Sequence, residues 1–106
     1  MQVSEHVIER VWEKARATTE QDPSEWRMDA CGAWIHRGQY RNQSSEFGWQ
    51  IIGTEPEAFD EIESLEPFHC RNEYDIANRR PHCHVTADRK HAAPTAHIDA
   101  PCNRSV

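Results

Sequence analysis

The chain has 106 residues, of which 37% are hydrophobic, and a formal net charge of −6, so it fits one small acidic domain with a modest core. It contains no run of about 18 apolar residues that could span a membrane, and its acidic N-terminal stretch lacks the apolar region of a secretory signal. The composition excludes a membrane-embedded chain and predicts a cytoplasmic protein.

The N-terminal segment predicts an amphipathic helix over about residues 4–17, with Ser4 as its N-cap. The apolar residues that recur at helical spacing are Val7, Ile8, Val11, Trp12 and Ala15. The glutamates of this segment fall elsewhere on the helical wheel. Residues 18–23 then predict a loop.

Two strands are predicted next. Residues 31–37 favour one strand and residues 47–52 favour its partner, with a long polar hairpin connection over residues 38–46. The two strands would therefore form a hairpin over residues 31–52.

Two short helices are predicted after the strands. Pro56 is suited to the first position of a helix, and Phe59, Ile62 and Leu65 would share one face of it until Pro67 ends it. A last helix over residues 69–78 would bury the side chains of Cys70, Tyr74 and Ala77.

The C-terminal segment loses this periodicity after Pro81. We expect a folded domain at residues 1–80 and a flexible, His- and Pro-rich tail at residues 81–106. The tail holds residue types that bind metals, namely His82, Cys83, His84, His91, His97 and Cys102. Structural zinc sites usually pair their ligands two to four residues apart, twice over, and this spacing is missing. We therefore expect no metal and no other cofactor, and a zinc site that uses Cys70 and Cys83 is the alternative.

The cysteines are even in number, as Cys31, Cys70, Cys83 and Cys102. An even number does not by itself predict disulfides in a reducing compartment. The sequence thus leaves their pairing open.

A series of short motifs resembles small bacterial and phage HNH-type endonuclease domains. In order they are VWEKA at 11–15, DP at 22–23, WR at 26–27, DACGAWI at 29–35, GWQIIGTEP at 48–56 and LEPFH at 65–69. The resemblance covers about residues 8–78 and is most specific in its first half. It implies an α+β fold with an HNH-like ββα core, made of a β-hairpin and a helix, plus an additional N-terminal helix. It also implies that Trp12, Trp26, Trp34 and Trp49 are core residues.

The second half departs from the HNH pattern where catalysis would be carried out. An HNH site needs metal ligands, a histidine base and an asparagine that orients this histidine. Here Ile52 cannot ligate a metal, Gly53 cannot accept a proton, and Ser64 replaces the asparagine. Glu73, beside Asn72, holds the last ligand position, but a lone carboxylate does not make a metal site of useful affinity. The resemblance therefore implies a catalytically inactive domain without catalytic residues.

Residues 55–75 are strongly acidic, with Arg71 as their one basic residue. An acidic segment repels the phosphates of DNA and attracts a basic protein surface. The candidate partner-binding residues are Glu55, Glu57, Asp60, Glu61, Glu63, Glu66, Glu73 and Asp75. The alternative is that these residues form an ordinary solvent-exposed face of a helix without a binding role.

A small, acidic chain with an inactive nuclease-like fold resembles phage anti-defence proteins, among them anti-CRISPR inhibitors, and this resemblance implies a non-enzymatic binding protein of that type. Its partner would be a basic, nucleic-acid-binding surface of a bacterial defence protein, most simply a CRISPR effector complex, with no direct nucleic-acid binding and no membrane binding. One alternative is a divergent metal-dependent HNH nuclease in which Glu73 binds the ion and His36 or His69 is the base. The other is a structural phage or immunity partner protein.

Overall fold

The computed structural model describes residues 4–54, 62–88 and 101–106. In chain order these ranges form α1 (Glu5–Trp12), β1 (Trp26–Met28), β2 (Trp34–His36), the 3-10 turn η1 (Arg37–Gln39), β3 (Trp49–Gly53), the 3-10 turn η2 (Ile62–Ser64), β4 (Leu65–His69), β5 (Glu73–Asp75), β6 (Arg80–His82), β7 (Val85–Ala87) and β8 (Asn103–Ser105). The strands pair antiparallel as β1–β2, β3–β4, β5–β6 and β7–β8. One helix with small antiparallel strand pairs is compatible with the predicted α+β class.

Helix α1 confirms the predicted N-terminal helix, although it ends earlier than expected. The Ser4 side chain accepts a hydrogen bond from the Val7 N–H at 3.3 Å, so the predicted N-cap is confirmed. The Glu13 N–H still bonds the Glu9 carbonyl as in a helix, and α1 ends at Trp12 because the amides after Glu13 bond elsewhere. The Lys14 N–H bonds the Val11 carbonyl, and Arg16 exchanges two backbone hydrogen bonds with Met28 of β1.

The main core lies between α1 and the β3–β4 pair. Its buried members are Ile8, Val11, Trp12, Ala15, Ile35, Trp49 and Leu65, and the rings of Trp12 and Trp49 lie 5.3 Å apart. A second cluster joins Met28, Trp34 and Ala87. The predicted core role is confirmed for Trp12, Trp34 and Trp49, whereas Trp26 is half-buried with its ring edge-on to Phe47.

The predicted hairpin over residues 31–52 is wrong in its pairing. Strand β2 pairs with β1, and β3 pairs with β4 over five residues. The reason is a tight turn after β1, in which the Asp29 carboxylate accepts hydrogen bonds from the N–H groups of Cys31 and Ala33, both at 2.9 Å. Gly32 takes a positive φ of 78° there, a conformation that suits glycine. The chain therefore reverses before β2 and not after it.

The helix predicted over residues 69–78 is also wrong, because this segment forms β5 and the turn into β6. The Cys70 N–H bonds the Gly48 carbonyl and so continues the β3–β4 ladder, while the Asn72 N–H closes a turn on the His69 carbonyl. These amides therefore do not make the hydrogen bonds of a helix. Of the three side chains expected to be buried, Cys70 and Tyr74 are half-buried and Ala77 is exposed. The HNH-like ββα core is not confirmed.

Within the described residues, the segment predicted as a helix from Pro56 forms the turn η2 and the start of β4. Leu65 and Pro67 lie in β4, so Pro67 does not end a helix. Pro56 and Phe59 lie outside the described residues. The chain therefore pairs with β3 as strand β4 directly after Ser64, where the predicted helix would have continued.

The predicted flexible tail contains three strands in its described part, since β6, β7 and β8 fall largely or wholly within it. Asn103 connects the tail to β2: its amide oxygen accepts a hydrogen bond from the Trp34 N–H at 2.8 Å, and its amide group donates to the Trp34 carbonyl at 2.9 Å. These two hydrogen bonds resemble those between paired strands, and they hold the C-terminal residues against the domain. Residues 89–100 lie outside the described ranges.

A disulfide joins Cys31 to Cys83, whose Cα atoms lie 5.6 Å apart. It connects the turn after β1 to the segment between β6 and β7. Cys83 is therefore not available as a thiolate for the alternative zinc site, while Cys70 and Cys102 are free thiols. Among the described helices, none has the length and apolar character to cross a membrane.

Candidate functional site

Three of the positions that would carry HNH chemistry, 52, 53 and 64, hold neither a metal ligand nor a histidine base. Ile52 and Gly53 are the last residues of β3 and lie opposite Glu66 and Leu65 of β4. Ser64 is buried, and its carbonyl accepts hydrogen bonds from the Thr54 N–H at 2.8 Å and the Thr54 hydroxyl at 3.1 Å. This end of the β3–β4 pair is held together by the hydrogen bonds from Thr54 to the Ser64 carbonyl.

His69, one of the two candidate bases, is buried with both ring nitrogens bonded to backbone. Its Nδ1 accepts a hydrogen bond from the Arg71 N–H at 3.0 Å, and its Nε2 lies 2.7 Å from the Glu46 carbonyl oxygen. An acceptor at Nδ1 and a carbonyl at Nε2 define the neutral tautomer with the proton on Nε2. The ring therefore has no free lone pair to take a proton from water.

His36, the other candidate base, lies at the end of β2. Its Nδ1 accepts a hydrogen bond from the Gly38 N–H at 3.2 Å and caps η1, and its ring packs edge-on against Trp26 at 4.6 Å. These contacts give it a local structural role. The structure does not bring it into contact with a carboxylate in any described interaction.

A buried polar network lies beside His69 and was not predicted from the sequence. The Asp29 Oδ2 atom accepts hydrogen bonds from the His69 N–H and from the Asn72 side-chain amide, both at 2.9 Å. Asn72, which is fully buried, also donates to the Val85 carbonyl and accepts from the N–H groups of His84 and Val85. Every buried side-chain nitrogen and oxygen of the described ranges has a hydrogen-bond partner. The network is therefore structural, because it ties the turn after β1 to β4 and β7.

The predicted partner-binding residues fall into several places. Glu55, Glu57, Asp60 and Glu61 lie outside the described residues. Glu63 is exposed on η2, and Glu66 of β4 pairs with the Lys14 ammonium at 3.5 Å. The Lys14–Glu66 ion pair thus connects the start of β4 to the residues just after α1.

Glu73 and Asp75 lie on β5 instead. Two hydrogen bonds from Asn78, the stronger one from its side-chain amide at 2.6 Å, lower the pKa of the Asp75 carboxyl. Asp75 therefore closes the β5–β6 turn. Glu73 is exposed and faces two histidines.

Glu73, His82 and His84 form the one group of potential metal ligands found among the described residues. The Glu73 Oε2 atom lies 3.4 Å from His84 Nε2 and 4.0 Å from His82 Nδ1. The signal that could have revealed this group is the His-Cys-His sequence, since alternate residues of an extended chain point to the same side.

Comparison with protein-family models, curated proteins and solved structures finds no match to this chain.

Proposed function

We propose that this protein is a non-catalytic binding protein that covers a basic, nucleic-acid-binding surface of a bacterial defence protein, in the manner of an anti-CRISPR inhibitor. One observation carries the proposal. The positions where the HNH resemblance requires a ligand and a base hold Ile52 and Gly53, and both ring nitrogens of the nearest buried histidine, His69, are bonded to backbone. This arrangement supports binding over catalysis.

The charges around α1 support an acidic binding surface. The helix exposes Glu5, Glu9 and Glu13, and η2, where the acidic segment is attached, lies beside its C-terminal end. The Lys14 ammonium donates to the carbonyls of Ile62, Glu63 and Leu65 at 2.9, 3.0 and 2.6 Å. The exposed carboxylates of α1 and the carboxylates of Glu63 and Glu66 therefore belong to neighbouring elements.

Three of the nearby basic side chains, Lys14, Arg27 and Arg37, are engaged within the protein, which weakens their affinity for phosphate, whereas Arg10 of α1 is exposed. Lys14 holds η2 as described, and Arg37 pairs with Glu9 at 2.9 Å and with Glu5 at 3.7 Å. Arg27 donates to the carbonyls of Pro23, Glu13 and Ala15. Affinity for a nucleic acid depends on lysines and arginines that release counterions from phosphate. We infer that this surface attracts the basic groups of a protein and not a duplex.

The host cytoplasm is the proposed place of action, because CRISPR effectors work there. The Cys31–Cys83 disulfide is of a kind that reducing compartments disfavour. Binding is therefore to be measured both with and without a thiol reductant.

The test is capture of the partner by the tagged full chain from a bacterial lysate, followed by measurement of association with the identified protein. The test variant combines Glu57→Lys, Glu61→Lys and Glu63→Lys. The control variant makes the same change in charge elsewhere with Glu20→Lys, Glu25→Lys and Asp99→Lys. We expect the test variant to associate about tenfold or more slowly and the control to resemble wild type, with wild-type affinity falling as salt rises. Equal losses in both variants would leave only a non-specific effect of net charge and would contradict the proposal.

Plasmid nicking distinguishes the nuclease alternative. We expect no cleavage by the purified chain with Mg²⁺, Mn²⁺ or Zn²⁺. Cleavage that disappears in Glu73→Gln or His69→Ala would show that the chain is an enzyme.

A further inference from the structure

We propose that Glu73, His82 and His84 form a binding site for a late first-row divalent transition-metal ion, with zinc as the biological choice. The site lies on the β5–β6 hairpin and the residue pair that follows it. It goes beyond the proposed binding function and does not depend on it.

The strand register brings the ligand atoms together. Glu73 and His82 are directly opposite each other in the β5–β6 pair, and His84 follows two residues after His82, in the bend between β6 and β7. The two imidazole rings lie 4.6 Å apart. The ligand atoms of all three residues lie within 4.8 Å of one another.

These spacings are close to what a tetrahedral ion requires. Zinc binds imidazole nitrogen and carboxylate oxygen at about 2.0–2.2 Å, which puts neighbouring ligands of a tetrahedron about 3.3 Å apart. The Glu73–His84 distance of 3.4 Å already meets this value, and the Glu73–His82 distance of 4.0 Å needs a small rotation of exposed side chains. At least half of each side chain is exposed, so such a rotation meets little resistance.

The backbone beneath the ligands is held in place by buried groups. The His84 N–H donates to the Asn72 side-chain oxygen at 2.7 Å, and Asn72, the neighbour of Glu73, is fully buried. Cys83, between the two histidines, is fixed to Cys31 by the disulfide. A site whose ligand backbones are already ordered loses less entropy when it binds an ion. The disulfide and Asn72 are thus the positioning elements of the proposed site.

The ligand set selects the class of ion. Two imidazoles with one carboxylate suit zinc, copper or nickel, whereas Mg²⁺ and Ca²⁺ prefer oxygen ligands. Three protein ligands leave one position of a tetrahedral zinc ion open for water or for a ligand from another molecule. Glu73 and His84 both line a shallow depression of about 600 Å³ together with Arg71 and Val85. The open position would therefore be accessible, and the cationic Arg71 nearby favours an anionic fourth ligand.

The experiment is calorimetric titration of Zn²⁺ into the full chain without thiol reductant, so that the disulfide stays intact. We expect one zinc ion per chain, with binding weakened about 100-fold or more in His82→Ala and in His84→Ala, since loss of even an outer-shell partner costs about 10–100-fold. Because these side chains are exposed, the variants are expected to unfold at the wild-type temperature in the absence of zinc.

The control variant removes the other histidines of the C-terminal segment through His91→Gln and His97→Gln, and a second control combines Cys70→Ser with Cys102→Ser. Both are expected to bind zinc as wild type does. Equal weakening in the control and test variants would overturn the proposal, because binding would then belong to the histidine-rich segment or to the free thiols. Wild-type binding of Ca²⁺ as tight as that of Zn²⁺ would also overturn it, since imidazoles could not then be the ligands.

Discussion

Asn72→Ala removes the centre of the buried polar network and gives a sharp test of its role. The Asn72 side chain makes four hydrogen bonds, at 2.9 and 3.0 Å to the Asp29 carboxylate and the Val85 carbonyl, and at 2.7 and 2.9 Å from the N–H groups of His84 and Val85. Each buried group left without its partner costs about 1–3 kcal/mol. Since part of this cost is relieved by other partners, such as the His69 N–H at Asp29, we expect a loss of about 3–5 kcal/mol in the free energy of unfolding.

The assay is urea unfolding followed by tryptophan fluorescence, because Trp12 and Trp49 are buried in the main core. The matched control is Asn78→Ala, whose exposed side chain bonds only Asp75 among the described contacts, and which is expected to cost less than about 1 kcal/mol. If Asn72→Ala costs no more than Asn78→Ala, the network does not stabilise the fold and the reasoning is wrong.

Asn72→Asp tests the direction of the same bonds. The introduced carboxyl group would face the Asp29 carboxylate where an amide now donates at 2.9 Å, so its pKa would be raised in the folded state. A raised pKa stabilises the fold below the unfolded-state value and loses that contribution as pH rises. The deficit against wild type is therefore expected to grow between pH 4 and pH 7, and a deficit independent of pH would refute the assigned geometry.

Three further predictions concern the backbone and the cysteines. Reduction of the Cys31–Cys83 disulfide, which spans 52 residues, is expected to lower the free energy of unfolding by about 4 kcal/mol, as measured by urea unfolding with and without reductant; an unchanged midpoint would contradict the bond. Gly48→Ala is expected to cost about 1–3 kcal/mol or more, because the added Cβ would clash with the Asn42 carbonyl oxygen. Gly38→Ala, with nothing closer than 3.4 Å to the added Cβ, should cost less, and equal thermal shifts would argue against this packing. Burial raises the pKa of the half-buried Cys70 thiol, and the pKa of the exposed Cys102 thiol is raised as well. We expect iodoacetamide at pH 8 to label Cys70 more slowly than Cys102 in the folded protein, and both thiols at equal rates only in urea. Mass spectrometry measures both labelling rates, and faster labelling of Cys70 in the folded state would refute its burial.

The parts of the fold predicted from sequence are those that local pattern determines. The period of Ile8, Val11 and Trp12 predicted helix α1, and a serine before that pattern predicted its cap. These helix signals need no knowledge of distant contacts. The HNH resemblance, and not local pattern, implied core roles for Trp12, Trp26, Trp34 and Trp49. Trp12, Trp34 and Trp49 are buried, whereas Trp26 is half-buried.

The wrong predictions depend on side-chain and strand contacts that the spacing of apolar residues does not show. The partner of β2 is set by the Asp29 side chain, which captures two amides of its own turn. The segment 69–78 carries apolar residues at helical spacing, but its Cys70 N–H bonds the Gly48 carbonyl and so continues the β3–β4 ladder. Local spacing cannot show that a neighbouring strand takes this amide. Pairing of Cys31 with Cys83 across 52 residues was likewise open, since four cysteines allow three pairings.

The two candidate sites also differ in how far the sequence revealed them. The acidic residues were recognised from composition, but only the structure shows that Lys14, just after α1, bonds the carbonyls of Glu63 and Leu65. The Glu73–His82–His84 group was missed because the sequence lacks two pairs of closely spaced ligands and because the tail was expected to be flexible. The β5–β6 register places Glu73 opposite His82, and His84, just after β6, brings its ring to 4.6 Å from that of His82.

The most direct test of the account is the competition between this protein and DNA for the captured partner. The fraction of labelled duplex bound by that partner is measured as the wild-type chain, the Glu57→Lys/Glu61→Lys/Glu63→Lys variant and the Glu20→Lys/Glu25→Lys/Asp99→Lys control are titrated in. The account predicts that wild type and control displace the duplex completely and that the test variant needs at least about tenfold more protein, because its acidic surface is lost. Simultaneous binding of the wild-type chain and the duplex, or equal displacement by the test variant, would contradict the claim that the acidic surface covers a nucleic-acid-binding site.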